Sequence, residues 1–157
     1  MPVEIERKFL VRGNDWRTDQ GVRIIQGYLN RDEERTVRVR MAGERAFLTI
    51  KGVNTGAMRA EFEYEIPVAD AEQLLKICVG ALIEKTRHTV VYAGMTWEID
   101  EFHGANEGLI VAEVELEDPE QTFAKPAWLG PEVTADARYF NSSLAVRPYS
   151  SWHQQQK

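Results

Sequence analysis

The chain has a single cysteine, Cys78, among 157 residues. No disulfide can form within it, a disulfide scaffold is excluded, and a reducing cytoplasm is the simplest setting. Its three histidines, His88, His103 and His153, follow no zinc-ligand spacing. Apolar runs reach only a few residues, so no segment is expected to span a membrane. The opening residues, Met1-Pro2-Val3-Glu4-Ile5-Glu6-Arg7-Lys8, carry charge where a secretory signal needs an apolar stretch. Neither G-x-x-x-x-G-K-[ST] nor G-x-G-x-x-G occurs, which leaves P-loop and Rossmann nucleotide sites unsupported. The serines near the C-terminus lack an elbow motif, and the four tryptophans are too scattered for a stacking platform. Basic excess is missing too: 19 basic against 25 acidic side chains give a formal charge of −6. That sign disfavours non-specific nucleic-acid binding, yet leaves room for a local basic site that holds a small polyanion.

With 43% apolar and 28% charged residues, the composition is that of a packed protein. Residues 1–149 read as a single domain, and 150–157 as a polar, frayed tail. Period-two alternation dominates. Strands are expected over residues 2–12, 22–30, 35–41, 46–51, 58–66, 82–92, 95–103 and 108–117, with turns at Asp32-Glu33-Glu34, Ala42-Gly43-Glu44 and Ala93-Gly94. Residues 70–79 read as one helix, with Asp70 as N-cap, Gly80 as its stop and Cys78 on its apolar side. Asn141-Ser142-Ser143-Leu144-Ala145 reads as a short capped helix. After Asp118-Pro119 the chain looks irregular. Eight strands with hairpin-like connections predict a mainly β (α+β) fold. They form an antiparallel, eight-stranded closed barrel with a few flanking helices, because closure removes exposed edges.

One register of these strands is charged. It reads Glu4, Glu6, Lys8; Arg38, Arg40; Lys51; Arg59, Glu61, Glu63, Glu65; Lys85, Arg87; Glu98, Asp100; Glu113, Glu115, Glu117, which is ten acids and seven bases. The other register is mostly Val, Ile, Leu, Phe and Ala, with Glu84, His88 and Glu101 as exceptions. A wet sheet face laced with salt bridges is the plain alternative. It accounts poorly for like charges standing side by side, which repel unless something of opposite charge lies between them. Paired carboxylates suit a hard divalent cation such as Mg²⁺ or Mn²⁺. Paired Arg and Lys suit a multiply charged oxyanion, and a metal-bound polyphosphate satisfies both.

The ordered series resembles the CYTH domain family of triphosphate tunnel metalloenzymes along nearly the whole chain. It runs through Glu4-x-Glu6-x-Lys8, Gln26-Gly27-Tyr28-Leu29, Thr36-Val37-Arg38-Val39-Arg40, Leu48-Thr49-Ile50-Lys51-Gly52 and Glu61-Phe62-Glu63-Tyr64-Glu65. It continues through Lys85-Thr86-Arg87, Trp97-Glu98-Ile99-Asp100, Glu113-Val114-Glu115 and Tyr139-Phe140-Asn141. The resemblance implies an eight-stranded tunnel that binds a triphosphate with divalent metal. The short bacterial members look like inorganic triphosphatases, and hydrolysis of tripolyphosphate to pyrophosphate and phosphate is the expected reaction. Class IV adenylate cyclases and thiamine or nucleoside triphosphatases are alternatives, although those cyclase and thiamine branches usually carry D-x-Y-[FY] where this chain has Gln26-Gly27-Tyr28-Leu29. A non-catalytic polyphosphate-binding module is another. The resemblance implies that Lys8, Arg38, Arg40, Lys51, Lys85 and Arg87 hold phosphate, and that Glu4, Glu6, Glu113 and Glu115 hold the main metal. Glu61, Glu63 and Asp100 are candidates for a second metal or its water. Tyr28 and Lys8 are expected around the reacting phosphate. Arg59, Glu65, Glu98 and Glu117 are expected at the rims. A homodimer is compatible with the sequence.

Overall fold

A computed structural model describes residues 3–152. Its strands are β1 Val3–Val11, β2 Val22–Asn30, β3 Arg35–Ala42, β4 Arg45–Gly52, β5 Met58–Ile66, β6 Val79–Tyr92, β7 Met95–Phe102, β8 Ile110–Glu115 and β9 Leu129–Glu132. Neighbours run β5-β4-β3-β2-β6-β7-β8-β1, and β1 closes back onto β5 through Val3↔Ala60 and Ile5↔Met58. Every pairing is antiparallel. The result is the expected eight-stranded closed barrel, with β9 added outside the ring along β1 at Phe9↔Glu132 and Val11↔Leu129. This ninth strand lies in the stretch the sequence left irregular. Gly130-Pro131 gives it no alternation to read.

Closure makes one strand face the interior and the other the outside. Here the charged register faces in, so much of the apolar packing lies around the barrel, apart from a cluster at one end of its interior. Outside β1, β7 and β8, Ile5, Phe9, Trp97, Ile99, Ala112 and Val114 pack under Trp16 from the loop after β1 and Trp128 from the segment before β9. Trp16 is pinned by its own Nε1, which donates to Gly13 O at 2.7 Å. Helix α1, Val68–Leu75, lays Ala71, Val68, Leu74 and Leu75 over Val39, Ala46 and Leu48. Covering each such aliphatic side chain stabilises the fold by roughly 1.5–3 kcal/mol.

Several local expectations are corrected. Helix α1 starts after Pro67, whose extended backbone makes it the N-cap, and Asp70 falls in the first turn instead. The helix stops at Leu75, and Cys78 lies beyond it, half-buried. Gly80 is no helix stop but a bend inside β6: its φ is +72°, and a Cβ there would meet Ala145 O at 2.8 Å. The hairpin joining β6 and β7 holds Ala93 and Gly94 at φ 49° and 80°, the positive pair a tight two-residue turn requires. Of the stretch expected as a polar tail, residues 150–152 are ordered: Tyr149–Ser151 forms a 3-10 turn and Trp152 is buried against Tyr139 and Tyr149. Residues 153–157, with His153, lie outside the described residues.

Candidate active site

The barrel interior changes character along its axis. At one end the inward positions are apolar. Tyr28, Ile83, Phe102 and Val111 pack with Leu144, Ala145 and Trp152 from the C-terminal segment, which stops that end. Beyond this plug the inward side chains are charged and enclose a cavity of roughly 250 Å³. Glu4, Glu6, Lys8, Tyr28, Arg38, Arg40, Lys51, Glu61, Glu63, Lys85, Arg87, Glu113 and Glu115 all line it, so every predicted site residue but Asp100 converges on one space. Arg59 and Glu98, expected at the rims, line it as well. Glu65 instead pairs with Arg45 at 2.7 Å, away from the cavity, as a rim salt bridge would.

Asp100 is corrected. It is fully buried behind the cavity wall, where one oxygen accepts from Lys85 Nζ at 2.7 Å and both accept from Arg87, at 2.8 and 2.9 Å. Burial alone would raise its pKa, but Arg87 and then Lys85 hold the carboxyl far below the usual range. Three of its lone-pair sites are taken by these two cations and it does not line the cavity, so its place is that of an acid that orients Lys85 and Arg87. Strand alternation had placed Asp100 on the inner face correctly, but it carries no information about depth or partners.

Arg40 and Arg38 hydrogen-bond to neutral groups and keep donors spare, with Glu63 3.6 Å from Arg38 Nη2. Arg40 Nε donates to Gln26 Oε1 at 2.8 Å, and Arg38 Nη2 donates to Thr49 Oγ1 at 3.1 Å. Arg38 Nε is buried without a hydrogen-bond partner among the described residues. An unmatched guanidinium donor in a polar cavity is the mark of an oxyanion site. Burial, followed by Arg38 and Arg87, lowers the Arg40 guanidinium to about 9, and burial lowers Lys85 to about 7 despite Asp100. For their burial both cations are under-neutralised, Lys85 even beside Asp100, and a phosphate would supply further negative charge.

The carboxylates crowd toward the other end. Glu6 faces Glu115 across the β1–β8 ladder, and Glu98 faces Glu113 across β7–β8. Burial, then Glu113 and Glu4, push Glu6 well above the ordinary carboxylate range. Glu61 is pushed up to about 7 by burial and by Glu4. Lys51 offsets part of this, donating to both Glu4 oxygens at 3.0 Å and lying 3.4 Å from Glu61. Glu113 is brought down to about 2, because Lys8 and Arg87 outweigh its burial. Among the described residues no three acidic side chains already converge on a metal ion. The donor set still fits a hard cation that takes one or two carboxylates and completes its shell with phosphate oxygens and water, as Mg²⁺ commonly does.

A pH dependence follows for the empty protein. Glu6, Glu61 and Glu115 have folded pKa values above their ordinary ones, so the native state binds more protons than the unfolded state as these groups titrate. Stability should therefore fall as pH rises from about 5 to about 7. Denaturant melts of metal-free protein at those two pH values test this, and Glu61→Gln should flatten the slope. A slope of opposite sign would show that the crowded carboxylates carry no penalty.

Sequence reasoning missed residues whose lining role comes from irregular segments. Thr134, just after β9, accepts from Lys8 N at 3.0 Å; Phe140 brings its ring 5.4 Å from Lys8 Nζ; and Asn141 reaches in from α2, Asn141–Leu144. Only the Tyr139-Phe140-Asn141 match signalled the last two, and it gave no function for them. The expected capped helix at 141 has no side-chain cap; Phe140 is its N-cap. Outside the barrel, His88 packs edge-on against Trp16, and His103 Nε2 meets Thr86 Oγ1 at 2.7 Å. Neither lines the cavity.

Comparison with known proteins agrees with this geometry. The CYTH domain matches residues 2–149. An inorganic triphosphatase of Acetivibrio thermocellus is 47% identical over 97% of this chain and 99% of its own length. An inorganic triphosphatase of Nitrosomonas europaea is 39% identical over 92% of this chain and 97% of its own. The crystal structure of an inorganic triphosphatase superposes with a TM-score of 0.65 at 37% identity, covering 93% of this chain and 96% of that one. In fold, in the direction of its charged register and in sequence, the chain belongs to the CYTH domain family.

Proposed function

We propose that this chain hydrolyses inorganic tripolyphosphate to pyrophosphate and phosphate in the barrel cavity, with Mg²⁺ or Mn²⁺ as cofactor. The observation that carries the proposal is one closed-ended cavity in which under-neutralised cations face crowded carboxylates. Names borne by relatives of nearly the same length support the substrate. Lys8, Arg38, Arg40, Lys51, Lys85 and Arg87 would hold phosphate oxygens and disperse charge as the terminal phosphoryl group leaves. Glu4, Glu6, Glu113 and Glu115 would hold the main cation, with Glu61 and Glu63 available to a second or to its water. When bound, the divalent cation would neutralise phosphate oxygens and lower the pKa of the attacking water. Tyr28, opposite Arg38 on the β2–β3 ladder, and Lys8 would border the reacting phosphate. The lone, half-buried Cys78 suits a reducing compartment, and the cytoplasm is the proposed location.

Two measurements test this reading. Phosphate release from tripolyphosphate should vanish in excess EDTA after metal stripping and return with Mg²⁺ or Mn²⁺; undiminished turnover in EDTA would contradict it. A Ca²⁺–tripolyphosphate complex at 100 times its dissociation constant should stabilise the fold by about 2.7 kcal/mol. Orthophosphate should leave the melt nearly unchanged. An equal shift from orthophosphate would reduce the cavity to a generic anion site.

A further inference from the structure

The C-terminal segment does more than stop the barrel, because one of its side chains is tied to two of the cations. We infer that Asn141 is a positioning residue whose side-chain carbonyl aims Lys85 directly, and Arg40 through Gln26, at a phosphate held near the closed end. The inference rests on the cavity being the triphosphate site.

Nothing in α2 itself calls for asparagine at 141. The helix has four residues, its N-cap is Phe140, and the Asn141 side chain makes no cap bond. Instead Asn141 Oδ1 accepts from Gln26 Nε2 and from Lys85 Nζ, each at 3.0 Å. Both donor residues are fully buried. The amide orientations are fixed from the two ends of this chain. Arg40 can only donate, so Gln26 must present oxygen to Arg40 and nitrogen to Asn141, and Asn141 then presents the oxygen that also accepts from Lys85.

The stoichiometry of donors explains what this does. Lys85 has three N–H groups: one is turned to Asp100 and one to Asn141, on different elements of the wall. Held from two sides, the ammonium keeps its third donor for the cavity that it lines. Arg40 gives Nε to Gln26 and keeps its remaining donors. Without the Asn141 oxygen, Lys85 would be held by Asp100 alone and drawn to the wall. Gln26 Nε2 would lose its partner, and with it the constraint that turns Oε1 toward Arg40. Backbone contacts keep the segment seated whatever stands at 141: Ala145 O accepts from Ala81 N at 2.8 Å, and Ser142 O accepts from Arg31 Nε at 2.7 Å. The role of Asn141 is thus separable from closure of the barrel.

The test is a double-mutant cycle on full-length protein. Asn141→Leu removes the acceptor while keeping the branching and heavy-atom count, and Asn141→Asp keeps it; each is made in the native and in the Lys85→Met background. The readouts are kcat/KM for phosphate release from tripolyphosphate, its dissociation constant by calorimetry with Ca²⁺, and the melting temperature. Asn141→Leu should weaken kcat/KM and binding roughly tenfold in the native background, and Asn141→Asp should recover most of that loss. In the Lys85→Met background the leucine change should cost about a third as much, because only the branch through Gln26 to Arg40 is left for it to act on. An equal tenfold loss in both backgrounds would mean a general structural effect, and no loss in the native background would remove the role; either overturns the inference. If the leucine variant does not fold, Asn141→Ser, too short to reach either donor, takes its place with the same expectations. Native protein that neither hydrolyses nor binds tripolyphosphate would overturn the triphosphatase reading and this one together. Native activity with an unaffected Asn141 variant would overturn this one alone.

Discussion

Asp100→Ala is expected to destabilise the protein by about 3–5 kcal/mol, the cost of leaving a buried ionic partner uncompensated. Its two oxygens serve Lys85 and Arg87, with Arg40 adding a third positive charge nearby. Removing the one carboxylate that is fully buried among them leaves Lys85 without its 2.7 Å partner and Arg87 with Glu98 at 3.0 Å in its place. Turnover should fall as well, since Arg87 loses the bidentate grip that fixes its plane. Asp100 carries a depressed folded pKa. The stability it contributes is therefore present above the ordinary carboxylate range and is lost as pH falls below it. Urea denaturation at pH 7, comparing the native chain with Asp100→Ala, measures the effect. A change under about 1 kcal/mol would mean the cations find other partners.

Glu6→Gln should separate activity from stability. Glu6 faces Glu115 and is crowded by Glu113 and Glu4 within a buried wall. A neutral amide of the same shape relieves that repulsion, so the melting temperature at pH 8 should hold or rise. Metal-dependent turnover should fall by roughly 100-fold or more, as expected when a ligand to a catalytic cation is lost. Steady-state kinetics across a Mg²⁺ titration checks this. Native kinetics in the variant would remove Glu6 from the metal set, and a large loss of stability would show that its charge is structurally needed.

The contrast between these two acids shows what could be read from the chain. Alternation along strands placed Glu6 and Asp100 on one face and Ile5 and Ile99 on the other, because a period of two needs no tertiary knowledge. The closed barrel follows from eight such segments with largely hairpin-like connections. What separates Glu6, the proposed metal ligand, from Asp100, which orients cations, is depth: Glu6 lines the cavity and Asp100 lies behind its wall, near the end where the C-terminal plug packs. That plug is built from Leu144, Ala145 and Trp152 on short 3-10 and α turns that have no period. Strand β9 escaped for the same reason: four residues that include Gly130 and Pro131 show no alternation, and their place is set by pairing with β1. Asn141 was visible as part of a matched motif, yet its work depends on Gln26 and Lys85 meeting it from strands far away in sequence.

The central claim is that this cavity cleaves tripolyphosphate, and following the reaction by ³¹P NMR tests it most directly. Purified protein with Mg²⁺ should convert tripolyphosphate to pyrophosphate and orthophosphate in equal amounts and then stop. ATP and thiamine triphosphate should be slower, and no cyclic nucleotide should form from ATP. An Arg38/Arg40 double alanine variant should leave tripolyphosphate intact. Unchanged tripolyphosphate with the native chain, or cyclic nucleotide as the main product from ATP, would contradict the account.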